Sequence, residues 1–115
     1  MKEDLIFYLV PRRKWKEWQN NGNFTPPVLS ESGGQIECLR ACQVQPTVNN
    51  VFPGRKHILL LVINTSQLKP PVRYVDRDGE SFPCLDGPLN LDAVIDKIAL
   101  EPDEDGRFDL DIVQQ

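Results

Sequence analysis

Few residues in this chain have side chains suited to chemistry. There is one histidine, His57, and there are three cysteines, Cys38, Cys42 and Cys84. One glutamate, Glu37, interrupts the otherwise apolar run Ile36-Glu37-Cys38-Leu39. A Cys3His zinc site is normally built from two close ligand pairs, and only Cys38 and Cys42 lie close, so no metal site is expected. A nucleophilic thiolate needs a base, and His57 is the single imidazole on offer. It follows Lys56 just ahead of an apolar run, where a surface position is expected. The cysteines therefore read as buried free thiols. Glu37 is the candidate for acid–base or electrostatic work, because a carboxylate buried in a strand must be paired or protonated. Strand alternation favours the simpler outcome, a side chain facing solvent. Glu101, Asp103, Asp105 and Gly106 match the opening positions of a calcium loop. Pro102 at the second position and Ile112 at the twelfth break the pattern, leaving an acidic turn.

These residues must be held by regular elements. Leu5 to Val10 reads as a first, buried strand. Pro11 suits the start of a helix, and residues 12–20 place Trp15 and Trp18 on one face, as core anchors, before Asn20-Asn21-Gly22 ends it. Residues 22–34 are rich in Gly, Pro and Ser and read as a long loop without the Gly-Lys-Ser/Thr ending of a phosphate loop. A second strand is expected from Gln35 to Leu39. A second helix is expected from about Val44 to Val51, with Pro46 in its first turn because proline has no N–H to donate. Ile58 to Ile63 is apolar throughout and predicts a central strand buried on both faces. Val72–Val75 and Ser81–Leu85 flank Asp76-Arg77-Asp78-Gly79-Glu80, a hairpin signal. Asp92 is placed to cap a short turn, Val94 to Leu100 reads as a last strand, and the acidic stretch 101–105 turns at Gly106.

The chain has 115 residues, 40% apolar and 26% charged, which fits one small domain, 1–115, able to fold without metal or disulfide. Residues 1–73 carry ten Lys/Arg against five Asp/Glu, whereas residues 74–115 carry three against twelve. The acidic second half disfavours nucleic acid as a partner. The basic cluster Arg12, Arg13, Lys14 and Lys16 reads as a solvated helix face. The short apolar runs predict neither a signal peptide nor a membrane span, so a cytoplasmic protein is expected.

The order of segments resembles a family of small bacterial proteins, domain-of-unknown-function family 952, over about residues 5–109. The resemblance rests on Ile6-Phe7-Tyr8-Leu9 followed by a Trp-bearing helix, and on Gly34-Gln35-Ile36-Glu37. It continues through Gln43, Thr47, Asn49, Phe52 and Gly54 and the Leu59-Leu60-Leu61 strand. Its most specific part is Phe82-Pro83-Cys84-Leu85-Asp86-Gly87-Pro88-Leu89, and Asp105-Gly106-Arg107-Phe108 closes it. The resemblance implies an α+β, ADP-ribosyltransferase-like fold: two small mixed or antiparallel sheets, with two helices in the N-terminal half. It also implies a cleft supplied by the first strand, the second strand and the following helix, and NAD as a family-level cofactor that the residues themselves do not call for.

Departures from the family pattern fall on polar cleft positions. The family's Ile-His-Leu-Ser is Ile36-Glu37-Cys38-Leu39 here, and its Phe-Pro-His-Leu-Tyr is Phe82-Pro83-Cys84-Leu85-Asp86. Its Trp-Glu pair is Tyr74-Val75, and a first-strand position often held by His is Tyr8. An anionic Glu37 would repel a pyrophosphate. The expectation is a non-catalytic domain that binds a small ligand or protein partner through the cleft, with Tyr8, Glu37, Arg40, Cys84 and Asp86 as candidate binding residues. The alternative is a divergent NAD- or nucleotide-dependent transferase or hydrolase. Glu37 would then be its catalytic carboxylate, Tyr8 an orienting donor and Arg40 a phosphate clamp. A third reading uses the acidic 101–111 segment against a basic partner.

Overall fold

A computed structural model describes residues 5–27 and 35–109. Among the described residues nine strands and two α-helices follow in chain order. They are β1 (Leu5–Pro11), α1 (Arg12–Glu17), β2 (Gln19–Asn20), β3 (Asn23–Phe24), β4 (Ile36–Glu37) and α2 (Ala41–Val51). Then come β5 (Ile58–Asn64), β6 (Val72–Arg77), β7 (Glu80–Leu85), β8 (Leu89–Asn90) and β9 (Val94–Leu100). The described fold is α+β with three small antiparallel sheets, ordered β1-β5-β9, β2-β3-β8 and β4-β7-β6. No described helix is long and apolar enough to cross a membrane.

The central strand behaves as its composition demands. Every residue of β5 is buried, and strand alternation divides its side chains between two cores. Leu59, Leu61 and Ile63 pack with Ile6, Val10, Trp15 and Phe24 on one face. Ile58, Leu60 and Val62 pack with Phe7, Val44, Val48 and Phe108 on the other. Each such side chain removed from water contributes about 1.5–3 kcal/mol, so this sandwich is the main support of the fold. Trp15 and Trp18 both lie against the Phe24 ring, at centroid distances of 5.1 and 6.1 Å, which makes them the expected core anchors. β9 spans the residues expected. A register shift between Val62 and Ile63 leaves Ile95 as the extra residue of a bulge, 47% exposed.

Several expectations are corrected. Three sheets form rather than two, because the supposed loop at residues 22–24 contributes a strand. Asn21 and Gly22 take positive φ (+52° and +80°), and the chain reverses there so that Gln19 pairs with Phe24 and Phe24 with Leu89. This reversal also ends α1 at Glu17, short of residue 20. The remainder of the expected loop, residues 28–34, lies outside the described residues.

Helix α2 starts three residues earlier than expected, at Ala41. The Arg40 amide donates to Gln43 Oε1 at 2.9 Å and the Gln43 amide to the Arg40 carbonyl at 2.9 Å, so a reciprocal cap forms at Arg40. Pro46 is consequently inside the helix, not in its first turn. Its missing N–H deprives the Cys42 carbonyl of a partner, and Cys42 is exposed, where water can serve instead. Cys42 is thus not the buried thiol expected; Cys38 and Cys84 are. His57 is exposed as expected.

The β6–β7 hairpin extends two residues further into the turn than expected at the β6 end, and one further at the β7 end. Asp78 and Gly79, at φ +54° and +81°, supply the two left-handed residues that a tight hairpin needs. Asp92 sits in the first turn of a short 3-10 segment, Leu91–Ala93, whose capping position is Asn90.

The expected strand 35–39 is cut to Ile36–Glu37, and the cause is Pro83. Ile36 pairs with Leu85 and Glu37 with Cys84. The Cys38 amide then donates to the Pro83 carbonyl at 2.7 Å, but Pro83 has no N–H to return. The ladder stops there. Leu39 turns to β1, exchanging hydrogen bonds with Phe7 at 2.7 and 2.8 Å. Residues 36–39 therefore join the β4-β7-β6 sheet to the β1-β5-β9 sheet.

Candidate functional site

That junction borders a cleft of about 580 Å³. Tyr8 and Leu9 line it from β1, and Glu37 and Leu39 from the joining segment. Pro46, Thr47, Asn50 and Val51 line it from α2, and Arg77, Glu80 and Phe82 from the hairpin. Gln43 ties two of these walls together. Buried on α2, it donates through Nε2 to Glu80 Oε1 at 3.1 Å and to the Ser81 carbonyl at 3.0 Å. A buried amide with every polar atom bonded fixes the helix relative to the hairpin.

Tyr8 and Glu37, singled out from sequence, do share the cleft. Arg40, Cys84 and Asp86 are not among its lining residues. The Arg40 side chain instead donates from Nε to the Ser81 carbonyl at 3.1 Å, on the same carbonyl that Gln43 uses. Cys84 is buried in β7, and its thiol donates weakly to the Phe82 carbonyl at 3.7 Å. Burial and the neighbouring Glu37 raise its pKa, while Arg77 and Arg73 oppose the rise. Asp86 is exposed and holds Arg73 Nη2 at 3.0 Å and Gln35 Nε2 at 2.9 Å.

Glu37 is neither fully buried nor simply solvated. Its carboxylate accepts from Arg77 Nη2 in an ion pair spanning 40 residues of sequence, with the two side chains 38% and 59% exposed. The Arg77 guanidinium also lies 4.9 Å from the Phe82 ring centroid. Across the hairpin, Arg77 stands opposite Glu80 in register. One guanidinium therefore sits among two carboxylates and an aromatic face. The Tyr8 hydroxyl has no hydrogen-bond partner among the described residues, and its ring meets Phe24 edge-on at 5.6 Å. Burial, with Cys38 nearby, pushes its pKa up to about 12, so it stays a protonated donor at neutral pH.

Arg77, Glu80 and Phe82 were missed as site residues. Arg77 and Glu80 read as turn residues and Phe82 as framework. The cross-strand position of Arg77 next to the Asp78-Gly79 turn was the available signal. Its partner, Glu37, belongs to another part of the chain. Among the described residues no group of three or more His, Cys, Asp or Glu is arranged to hold a metal ion.

Comparison with known families finds a match over residues 9–97 to the family described as "Protein of unknown function (DUF952)". The chain is also similar to solved structures of protein CC0527 from Caulobacter crescentus. The crystal structure is 27% identical, with a TM-score of 0.78, covering 91% of this chain and 93% of that one. A double-mutant form is 25% identical at the same TM-score and coverage. The solution structure is 27% identical, with a TM-score of 0.70 and 90% of each chain covered. No curated protein matches.

Proposed function

The chain belongs to the DUF952 family of unknown function, and from that premise we propose that it is a non-catalytic, ADP-ribosyltransferase-like domain that binds a small ligand through the cleft. Support for the fold assignment is the origin of the walls. First strand, second-strand segment and following helix all contribute, as the family resemblance implies. The whole chain, 1–115, is read as one domain because Phe108, near its C-terminal end, is fully buried against α2 and β5.

The observation that carries the non-catalytic reading is the ion pair of Glu37 with Arg77. A catalytic carboxylate at a ribosyl centre acts from a preorganised, water-excluded setting, whereas Glu37 is partly exposed and rests on a guanidinium that must be displaced before it can face developing positive charge. The cleft volume falls within the range of small-molecule sites, and its walls combine apolar and aromatic side chains with convergent polar ones.

A thermal-shift panel of nucleotides, NAD, amines, sugars and organic acids tests this reading. The expected result is a rise in Tm with at least one compound, since a ligand that binds only the folded state stabilises it. That rise should vanish in Thr47→Trp, which fills the cleft from α2. NAD-dependent turnover abolished by Glu37→Ala would overturn the non-catalytic reading in favour of a divergent transferase or hydrolase.

A further inference from the structure

The arrangement around Arg77 indicates what class of ligand the cleft takes. Among the described residues three charged side chains line it: Glu37, Glu80 and Arg77. They leave one negative charge unmatched. An anionic ligand would approach two carboxylates, and the one described cation that lines the cleft is already engaged. A neutral ligand would leave the imbalance as it stands.

Arg77 itself displays the chemistry that fits. Its guanidinium is held between the Glu37 carboxylate and the face of Phe82, 4.9 Å from the ring centroid. A carboxylate and an aromatic face together are the elements of an organic-cation site. The resident cation is not locked in. Its side chain is 59% exposed, and such exposed ion pairs are weak and screened by solvent. Nor would it be stranded on leaving, because Glu80 stands opposite it across the hairpin. Glu80 Oε1 is occupied by Gln43 Nε2, and the same carboxylate carries a second oxygen. Leu9, Leu39 and Val51, on the same lining, offer contact to an apolar body.

Resting on the cleft-binding reading above, we infer that the ligand is an organic monocation, a guanidinium or ammonium on an apolar body, which takes the place of Arg77 between Glu37 and Phe82 while Arg77 turns to Glu80. The exchange balances charge: one cation enters, and each carboxylate ends with one cationic partner. No bond is made or broken. The cation could belong to a free small molecule or to an Arg or Lys side chain of a peptide.

Isothermal titration of the full-length protein with four probes tests this. The probes are phenethylguanidinium, its neutral counterpart 2-phenylethanol, its anionic counterpart 3-phenylpropionate, and the peptide acetyl-Gly-Arg-Gly-amide. The guanidinium compound should bind saturably and the neutral and anionic compounds at least about tenfold more weakly, the size expected for one charge-assisted contact. Comparing the peptide with phenethylguanidinium identifies which source the site prefers. Glu37→Gln should abolish the preference for the cation. Arg77→Gln should strengthen cation binding, because no resident cation has to be displaced, and loss of a merely structural residue would not do so. Best binding by 3-phenylpropionate, or weaker cation binding in Arg77→Gln, overturns the inference and makes Arg77 an anion anchor. If none of the four probes binds while a nucleotide raises Tm in a Thr47→Trp-sensitive way, the cation inference fails and the cleft reading stands. If nothing in either panel binds, both fail.

Discussion

The Cys38 amide donates to the Pro83 carbonyl at 2.7 Å, and Pro83 returns nothing. This one-sided bond sets where β4 leaves β7, and hence where Glu37 stands relative to Tyr8 across the cleft. Pro83→Ala should supply the missing donor and extend the ladder by one residue. In amide hydrogen exchange, the new amide at position 83 should be protected. The amides of Phe7 and Leu39 should exchange faster, as their mutual bonds compete with the longer ladder. An unprotected amide at position 83 would show that something other than the proline ends the strand.

Asn49 anchors the C-terminal segment to α2. Its Nδ2 donates to the Phe108 carbonyl at 2.9 Å, and its Oδ1 accepts from the Phe108 amide at 2.7 Å. The same region is closed by the Gly54 amide donating to the Gly106 carbonyl at 2.8 Å. Asn49→Ala would leave two backbone groups beside a fully buried ring without partners, a loss of about 2–3 kcal/mol. Urea denaturation should show a lower midpoint with an unchanged slope. Asn49→Asp keeps the acceptor but sets a second acceptor oxygen against the Phe108 carbonyl, so it should not restore the wild-type midpoint.

The three thiols differ in access. Cys42 is exposed in the first turn of α2, whereas Cys38 and Cys84 are buried. Burial, with Cys84 and Glu37 nearby, raises the Cys38 pKa, which further reduces its reactive thiolate. A thiol-specific chromogenic reagent should modify one cysteine rapidly in the native protein and the other two after unfolding. Cys42→Ser should remove the fast phase alone.

Alkaline pH should destabilise the fold, with a sign set by Tyr8. Its folded pKa, about 12, lies above its ordinary value of 10.0. Between these values the unfolded chain releases the proton while the folded one keeps it, so stability falls as pH rises from about 10 to about 12. The raised pKa values of Cys38 and Cys84 act in the same direction from their ordinary value of 9.0 upward. Unfolding free energy measured in urea across this window should fall less steeply in Tyr8→Phe than in the wild type.

Long elements were legible in the sequence because their signals are local. The apolar run at 58–63 marked a strand buried on both faces, and Asp78-Gly79 marked the hairpin. The limits of short elements were not. The start of α2 depends on Gln43, which reads as an ordinary helix residue until its amide is seen closing the cap at Arg40. The third sheet depends on two-residue strands whose partners lie far away, Phe24 with Leu89. At the site, Glu37 stood out as a charge in an apolar run, and Tyr8 as a departure from the family's pattern.

By itself the sequence determined a small α+β chain with a doubly buried central strand, few residues fit for catalysis, and a carboxylate where one is not usual. Hydrophobic periodicity and residue counts carry that information without reference to distant neighbours. Only the tertiary structure decided that Glu37 faces a guanidinium 40 residues away, and that Arg40, Cys84 and Asp86 stand outside the cleft. The physical reason is that an ion pair and a cleft wall are properties of separation in space. Glu37 takes its place by pairing with Cys84 and Arg77 by pairing with Glu80, both on β7, a third element that no local pattern ties to either residue.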